Sequence, residues 1–329
     1  MKVALTWNPK PEELKVFLES LKYSVKVVHP LSRKERFKEL EKLVSDVEVI
    51  VGGYVPDSVI LKAEKLKLIQ TLTVGVERFN FELLKSRGIM LATASGTNAK
   101  AVAEMAFGFI LAFAKRIIEY DSIMKSGKWV PYTFETTTLE LSDKVLGIIG
   151  FGNIGREVAK LGKAFGMKVI AIKREPVKYL KEDYELDFLG GPHDIEKILR
   201  ESDFLIIAVP LTRETRGMIG EKELRLMKPT AFLINVSRGP VVDEEALYKA
   251  LKKGWIAGAG LDVWWYYPPN PDAPSKKKIH LLPNVIATPH KAGWTIESRF
   301  RALKLAAENI NNLIEGKPLL NLVDLDKGY

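Results

Sequence analysis

Apolar positions in this chain fall into short dense runs, and amphipathic stretches separate one run from the next. Runs at 3–6, 25–28, 47–51, 68–71 and 90–92 are rich in β-branched residues and predict five strands, with helical patterns between them at 11–20 and 33–43. A nearly uninterrupted apolar stretch at about 99–115 predicts a long buried helix. Strand-like runs resume at 145–149, 169–172, 204–209, 232–235, 259–263 and 285–287, and a last amphipathic stretch runs from 295 to about 315. Strands of this kind alternating with helices predict parallel sheets, since parallel pairing needs a crossover and the crossover helices cover both faces. The expected fold class is α/β, with two doubly wound parallel-sheet domains. The segment SGTN at 95–98 has the composition of a helix-capping turn and marks the boundary. The first domain is expected to span 1–95 together with 294–329, the final helix crossing back to it, and the second 96–293.

A length of 329 residues exceeds the usual reach of a single hydrophobic core, which agrees with two domains. With 47% hydrophobic and 28% charged residues the composition is that of an ordinary globular protein. No apolar run approaches the roughly 18 residues that span a bilayer, and the N-terminal MKVALTWNPKPEELK is too polar for a secretory core. A cytoplasmic protein without membrane association is expected. There is no cysteine, which excludes disulfides, thiolate metal sites and cysteine nucleophiles, and no metal site is expected. The net charge of +9 could draw nucleic acid or a small anion. The densest basic runs, Lys276-Lys277-Lys278 and Lys252-Lys253, have no aromatic residues interleaved at stacking spacing, so nucleic acid is not expected as a partner.

The most specific short motif is VLGIIGFGNIGREVAKLGKAFGMKVIAI. Gly150, Gly152 and Gly155 form G-x-G-x-x-G directly after a strand and at the opening of a helix. The first glycine allows the tight turn, the second the approach of a pyrophosphate, and the third close packing of helix on strand. The helix N-terminus then offers free N–H groups to phosphate. These features predict a Rossmann dinucleotide-binding domain, leaving the other domain, with a flavodoxin-like rhythm, for substrate. An acid at the tip of the next strand would favour NAD(H), and cations would accommodate the 2′-phosphate of NADP(H). Lys173 and Arg174 follow that strand and favour NADP(H), while Glu175 keeps NAD(H) open.

Three further blocks follow in order: LINVSRGPVVDEEAL, AGAGLDVWWYYPP and PNVIATPHKAGW. With the glycine motif and VGVERFNFELLKSRGI they resemble the D-isomer-specific 2-hydroxyacid dehydrogenases, over about 71–293. Such chemistry needs a held carboxylate, a polarised carbonyl, a proton for the new alkoxide and a hydride at C2. Arg238, just past the strand at 232–235, offers a planar fork to carboxylate and carbonyl oxygens. His290, just past the strand at 285–287, can give and retake a proton near neutral pH.

The resemblance assigns Arg238 and His290 these same roles and sets Asp262 against the nicotinamide amide. It implies cofactor contacts from Asn153, Ile154, Val209, Pro210, Thr215, Val236, Ser237 and Gly293. Backbone N–H groups of Val74 and Gly75 are expected to take the substrate carboxylate, and Tyr54 to wall the pocket. The resemblance also implies substrate binding between the domains, and a homodimer embraced through the arm at 119–144. One position departs from the family, whose glutamate beside the catalytic histidine is here Tyr267. Three readings stay open: Tyr267 orients His290 through its hydroxyl, a carboxylate from elsewhere substitutes, or turnover is weak while nucleotide binding survives. The expected function is an NADP(H)-preferring oxidoreductase acting on a small 2-keto or D-2-hydroxy acid. The alternative is a nucleotide-binding regulatory or interaction protein.

Overall fold

The computed structural model describes residues 1–327. The chain divides into two compact units, Met1–Asn98 with the segment from Trp294 onward, and Ala99–Gly293. The first unit holds β1 (Lys2–Leu5), β2 (Lys26–Val28), β3 (Val49–Gly52), β4 (Leu68–Thr71) and β5 (Met90–Ala92), all parallel in the order β2-β1-β3-β4-β5. That is the flavodoxin-like order. Successive side chains of a strand point to opposite faces, and here both faces are apolar. Val3, Leu5, Val49 and Val51 pack with Phe17 and with Leu303, Ala306, Ala307 and Ile310 of the helix Ile296–Glu315. Ala4, Ile50 and Ile69 pack on the other side with Leu40, Ile60 and Leu84. The final helix is therefore part of this unit's core. Its buried Asn309 donates to the Gln70 side chain (2.6 Å) and accepts the Leu320 N–H (2.7 Å).

The second unit holds β6 (Val145–Ile149), β7 (Lys168–Ile172), β8 (Phe188–Gly190), β9 (Phe204–Ile207), β10 (Phe232–Asn235), β11 (Gly258–Leu261) and β12 (Val285–Ala287). Their order is β12-β11-β10-β9-β6-β7-β8, again all parallel. This is the Rossmann arrangement, one strand longer, and the chain reverses direction across the sheet between β6 and β9. β8 has no counterpart among the predicted strands. It is a three-residue edge strand, FLG, too short for a periodic signal. The apolar helix Ala99–Ala114 lies on this sheet, with Phe109 so close to Gly260 that an added Cβ would sit 2.8 Å from the ring.

The arm expected at 119–144 is not all loop. It begins within the helix Ile117–Lys125 and continues through a single turn at Phe134–Thr136. Trp129, Tyr132 and Phe134 on it are 71%, 97% and 88% exposed. No helix of the described residues is long and apolar enough to cross a membrane.

Candidate active site

Every functional position expected in the second unit lies past the carboxyl end of a parallel strand, where open α/β sheets place their ligands. From β6 the chain enters Gly150, whose φ of 104° is left-handed, and whose added Cβ would lie 2.6 Å from the Ala208 carbonyl oxygen. Gly155, in the first turn of the helix Asn153–Ala164, packs on the Gly150 carbonyl with no room for a side chain. Gly152 is different. It has φ −92° and nothing within 4 Å of an added Cβ, so neither its conformation nor its packing asks for glycine. What glycine provides there is open backbone at a helix N-terminus, which suits a pyrophosphate. Asn153 and Ile154 form the first turn of that helix.

Lys173 and Arg174 leave the tip of β7, and the Lys173 N–H donates to Gly190 on β8 (3.0 Å). Arg174 reaches Glu214 at 3.5 Å, in the loop that follows β9. In that loop, after Val209, the Thr215 hydroxyl donates to the Pro210 carbonyl (2.6 Å) and the Thr212 N–H to Thr215 (2.8 Å). After β10, Asn235 organises the turn that carries Val236, Ser237 and Arg238. Its Oδ1 accepts the Ser237 N–H and hydroxyl (3.0 and 2.9 Å), and its Nδ2 donates to the Arg238 carbonyl (3.0 Å). The guanidinium of Arg238 donates back to the Ser237 carbonyl (2.8 Å).

His290 follows β12 in the left-handed region, at φ 57°. A non-glycine residue there costs of order 1 kcal/mol and needs a surrounding structure that enforces it. Asp262, past the end of β11 and 1% exposed, provides it. Its Oδ1 accepts the Thr288 hydroxyl (2.6 Å) and the Lys291 N–H (2.8 Å), and its Oδ2 accepts the Ala292 N–H (2.9 Å). The carboxylate thus grips the loop on both sides of His290, and Gly293 closes that segment.

The aromatic run at 264–267 ties these loops together. The buried Trp264 donates its indole N–H to the Thr288 carbonyl (2.9 Å), and Trp265 donates its own to the Val242 carbonyl (2.8 Å). Gly239, next to Arg238, lies against the Trp264–Trp265 peptide where a Cβ could not fit. Tyr267 brings its ring to 5.5 Å from the imidazole of His290, with the planes tilted by 42°. Its hydroxyl accepts the Trp264 N–H (3.2 Å). Beside this contact is a cavity of about 450 Å³ lined by Trp264, Tyr266, Tyr267, Pro268, His280 and Pro289.

Among the other histidines, His280 is partly buried. It stands edge-on to Trp264 at 6.0 Å with its Nδ1 buried, because the turn Ile279–Leu281 folds under the aromatic run. His193 is 84% exposed, beside Asp194. Trp264, Trp265, Thr288 and Asn235 were not among the expected site residues. Their polar atoms bond to backbone or to a neighbouring side chain, and such roles carry no motif.

In the first unit, Tyr54 follows β3, and Val74 and Gly75 follow β4. Val74 is 41% exposed, and Tyr54 meets Phe79 edge-on at 5.6 Å.

Residues 107–292 match the family model described as D-isomer specific 2-hydroxyacid dehydrogenase, NAD binding domain. The chain belongs to that family. Among curated relatives of this dehydrogenase family, the glyoxylate reductase of Thermococcus litoralis is 40% identical over 297 residues, covering 89% of this chain and 86% of its own. Among solved structures, a D-lactate dehydrogenase from Aquifex aeolicus, complexed with NAD and lactic acid, superposes with a TM-score of 0.77 at 29% identity, covering 96% of each chain. An acyclic imino acid reductase (Bsp5) in complex with NADPH and D-Arg gives a TM-score of 0.80 at 29% identity, covering 98% of this chain and 100% of its own. The family membership makes a nicotinamide cofactor and a hydroxy or keto acid the ligands of this 2-hydroxyacid dehydrogenase fold.

Proposed function

We propose that the chain reduces a small 2-keto acid to the D-2-hydroxy acid, using NADP(H) in preference to NAD(H). The observation that carries the reading is the loop of His290, held in a left-handed turn by the carboxylate of Asp262. A buried acid committed to two amides and a hydroxyl fixes one imidazole in place, which suits a proton donor better than a surface histidine. Arg238, on a turn organised by Asn235, would take the substrate carboxylate and lean on the keto oxygen through its fork. Bound at the glycine turn, a nicotinamide dinucleotide supplies the hydride for C2. His290, protonated, gives its proton to the alkoxide oxygen and becomes neutral, so that one hydride and one proton convert ketone to alcohol. The first unit would contribute the Val74 and Gly75 amides and the Tyr54 wall. Lys173 and Arg174 at the tip of β7 support the NADP(H) preference, since two cations there suit a 2′-phosphate.

The test is a panel of 2-keto acids, glyoxylate first, with NADPH and NADH followed spectrophotometrically across pH. Oxidation of NADPH by at least one acid is expected, with NADH slower. No turnover with any acid at any pH would leave the nucleotide-binding, non-catalytic reading, and equal rates with NADH would overturn the cofactor preference. We also propose a homodimer formed through the arm, supported by its three largely exposed aromatic residues.

A further inference from the structure

The substrate loop of the first unit carries a cation that the reaction itself does not use. Past Gly75 the chain makes a tight turn, closed by the Phe79 N–H donating to the Val76 carbonyl (3.0 Å), with Glu77 and Arg78 at its tip. The turn lays the guanidinium of Arg78 over the ring of Tyr54, 4.3 Å from its centroid. Tyr54 comes from the loop after β3 and Arg78 from the loop after β4, and these strands are neighbours in the sheet. Two further contacts fasten the loops: Phe79 against Tyr54, and Asn80 donating to Asp57 (2.9 Å) while its Oδ1 caps the helix Phe81–Ser86. Arg78 therefore stands on a built platform within three residues of Gly75. Among the described residues no carboxylate lies within ion-pair distance of it, and its partner is the tyrosine ring.

Stacking uses the face of a guanidinium and leaves its edge, with its N–H donors, open to a planar anion. Such a fork beside the expected carboxylate cradle has no purpose for a substrate as small as glyoxylate. It has one for an acid with a negative group at its far end. Glu77 and Asp57 flank the turn, so the local field suits a single negative charge better than a phosphate dianion. We infer that Arg78 selects 2-keto dicarboxylic acids by pairing with their distal carboxylate. This rests on the proposal that Val74 and Gly75 hold the carboxylate next to the keto group.

Isothermal titration in the presence of NADP+, which cannot reduce the ligand, tests it, comparing 2-oxoglutarate with 2-oxopentanoate, which has a similar chain but no distal charge. The wild-type protein should bind 2-oxoglutarate about tenfold more tightly or better, the scale of one charge-assisted pair. Arg78→Gln should bring the affinity ratio close to one, and Arg78→Lys should keep part of it. Equal affinities in the wild type, or a ratio that Arg78→Gln leaves intact, would overturn the inference. The binding ratio reads Arg78 with or without catalysis, whereas glyoxylate turnover reads the dehydrogenase, so the two failures are distinct.

Discussion

Tyr267 holds its ring 5.5 Å from His290, tilted by 42°, at the position where the family resemblance implies a glutamate. A ring quadrupole attracts an imidazolium by roughly 0.5–2 kcal/mol. A carboxylate at contact distance raises a partner's pKa by about one to three units. The proposed reduction uses the protonated imidazole, so its rate should fall as pH rises through the histidine's pKa. Tyr267→Glu should move that falling limb of the kcat/KM profile to higher pH by about one unit or more. If the limb stays where it is, Tyr267 is not the residue that sets the histidine's protonation. Asp262 makes a second case. Asp262→Asn keeps the shape but turns one acceptor into a donor, leaving Lys291 or Ala292 with an unaccepted amide. A loss of about 1–3 kcal/mol in thermal or urea unfolding is expected, with a marked fall in kcat. Unchanged kcat would mean the left-handed turn at His290 does not depend on this clamp. Both catalytic candidates were legible in the sequence, since Arg and His at strand ends carry their chemistry in their side chains. Trp264 and Trp265 were not. Their value is an indole N–H aimed at a distant carbonyl, which only the folded chain reveals.

At the level of elements, the glycine turn separates two kinds of requirement. Gly155→Ala should unfold the protein or lower its Tm by several degrees, because the Cβ collides with the Gly150 carbonyl. Gly152→Ala meets open space and should leave Tm unchanged while weakening NADPH binding by about tenfold or more, since only the ligand needs that volume. Calorimetry with both variants checks the pair, and a Gly152→Ala protein that binds normally would remove the pyrophosphate from this turn. On the other unit, Glu13 of the helix Pro11–Glu19 joins Arg299 of the helix Ile296–Glu315 (2.6 Å) and accepts from the Trp7 indole (3.1 Å). Burial pushes this carboxyl up, but Arg299, the Lys10 amide and Trp7 outweigh it and hold Glu13 below its usual 4.5. A depressed folded-state pKa gives stability that is present above the unfolded value and lost as pH falls through the folded one. Glu13→Gln should therefore lower Tm by about 2 °C at neutral pH. The gap should close below pH 4.5, and a gap independent of pH would rule the ion pair out. Most strands were readable because parallel strands buried on both faces are continuous apolar runs, as β9 shows with FLII. The three-residue edge strand β8 was too short to give that signal, and the helix Arg36–Leu43 starts three residues later than its pattern implied.

For the whole molecule, the arm is the feature that one copy of the chain does not explain. Trp129, Tyr132 and Phe134 expose large apolar rings on a segment with little of its own to pack against, and aromatic residues of this kind anchor interfaces. Light scattering on the eluting protein should give twice the chain mass, and a Trp129→Ser, Phe134→Ser double variant should shift it toward one. A wild-type protein that elutes at the mass of one chain would refute the dimer. The rhythm of the sequence revealed two parallel sheets, but it says nothing of what the arm packs against, because a surface that meets another molecule carries no periodicity of its own.

The indoles that lace the His290 loop to the Arg238 turn are also optical probes. Trp264 is buried at the carbonyl of Thr288, so its emission depends on where that loop stands. The emission band of tryptophan overlaps the absorption of reduced nicotinamide. Arrival of the cofactor can thus be watched as quenching of the protein's own light, with no label and no turnover.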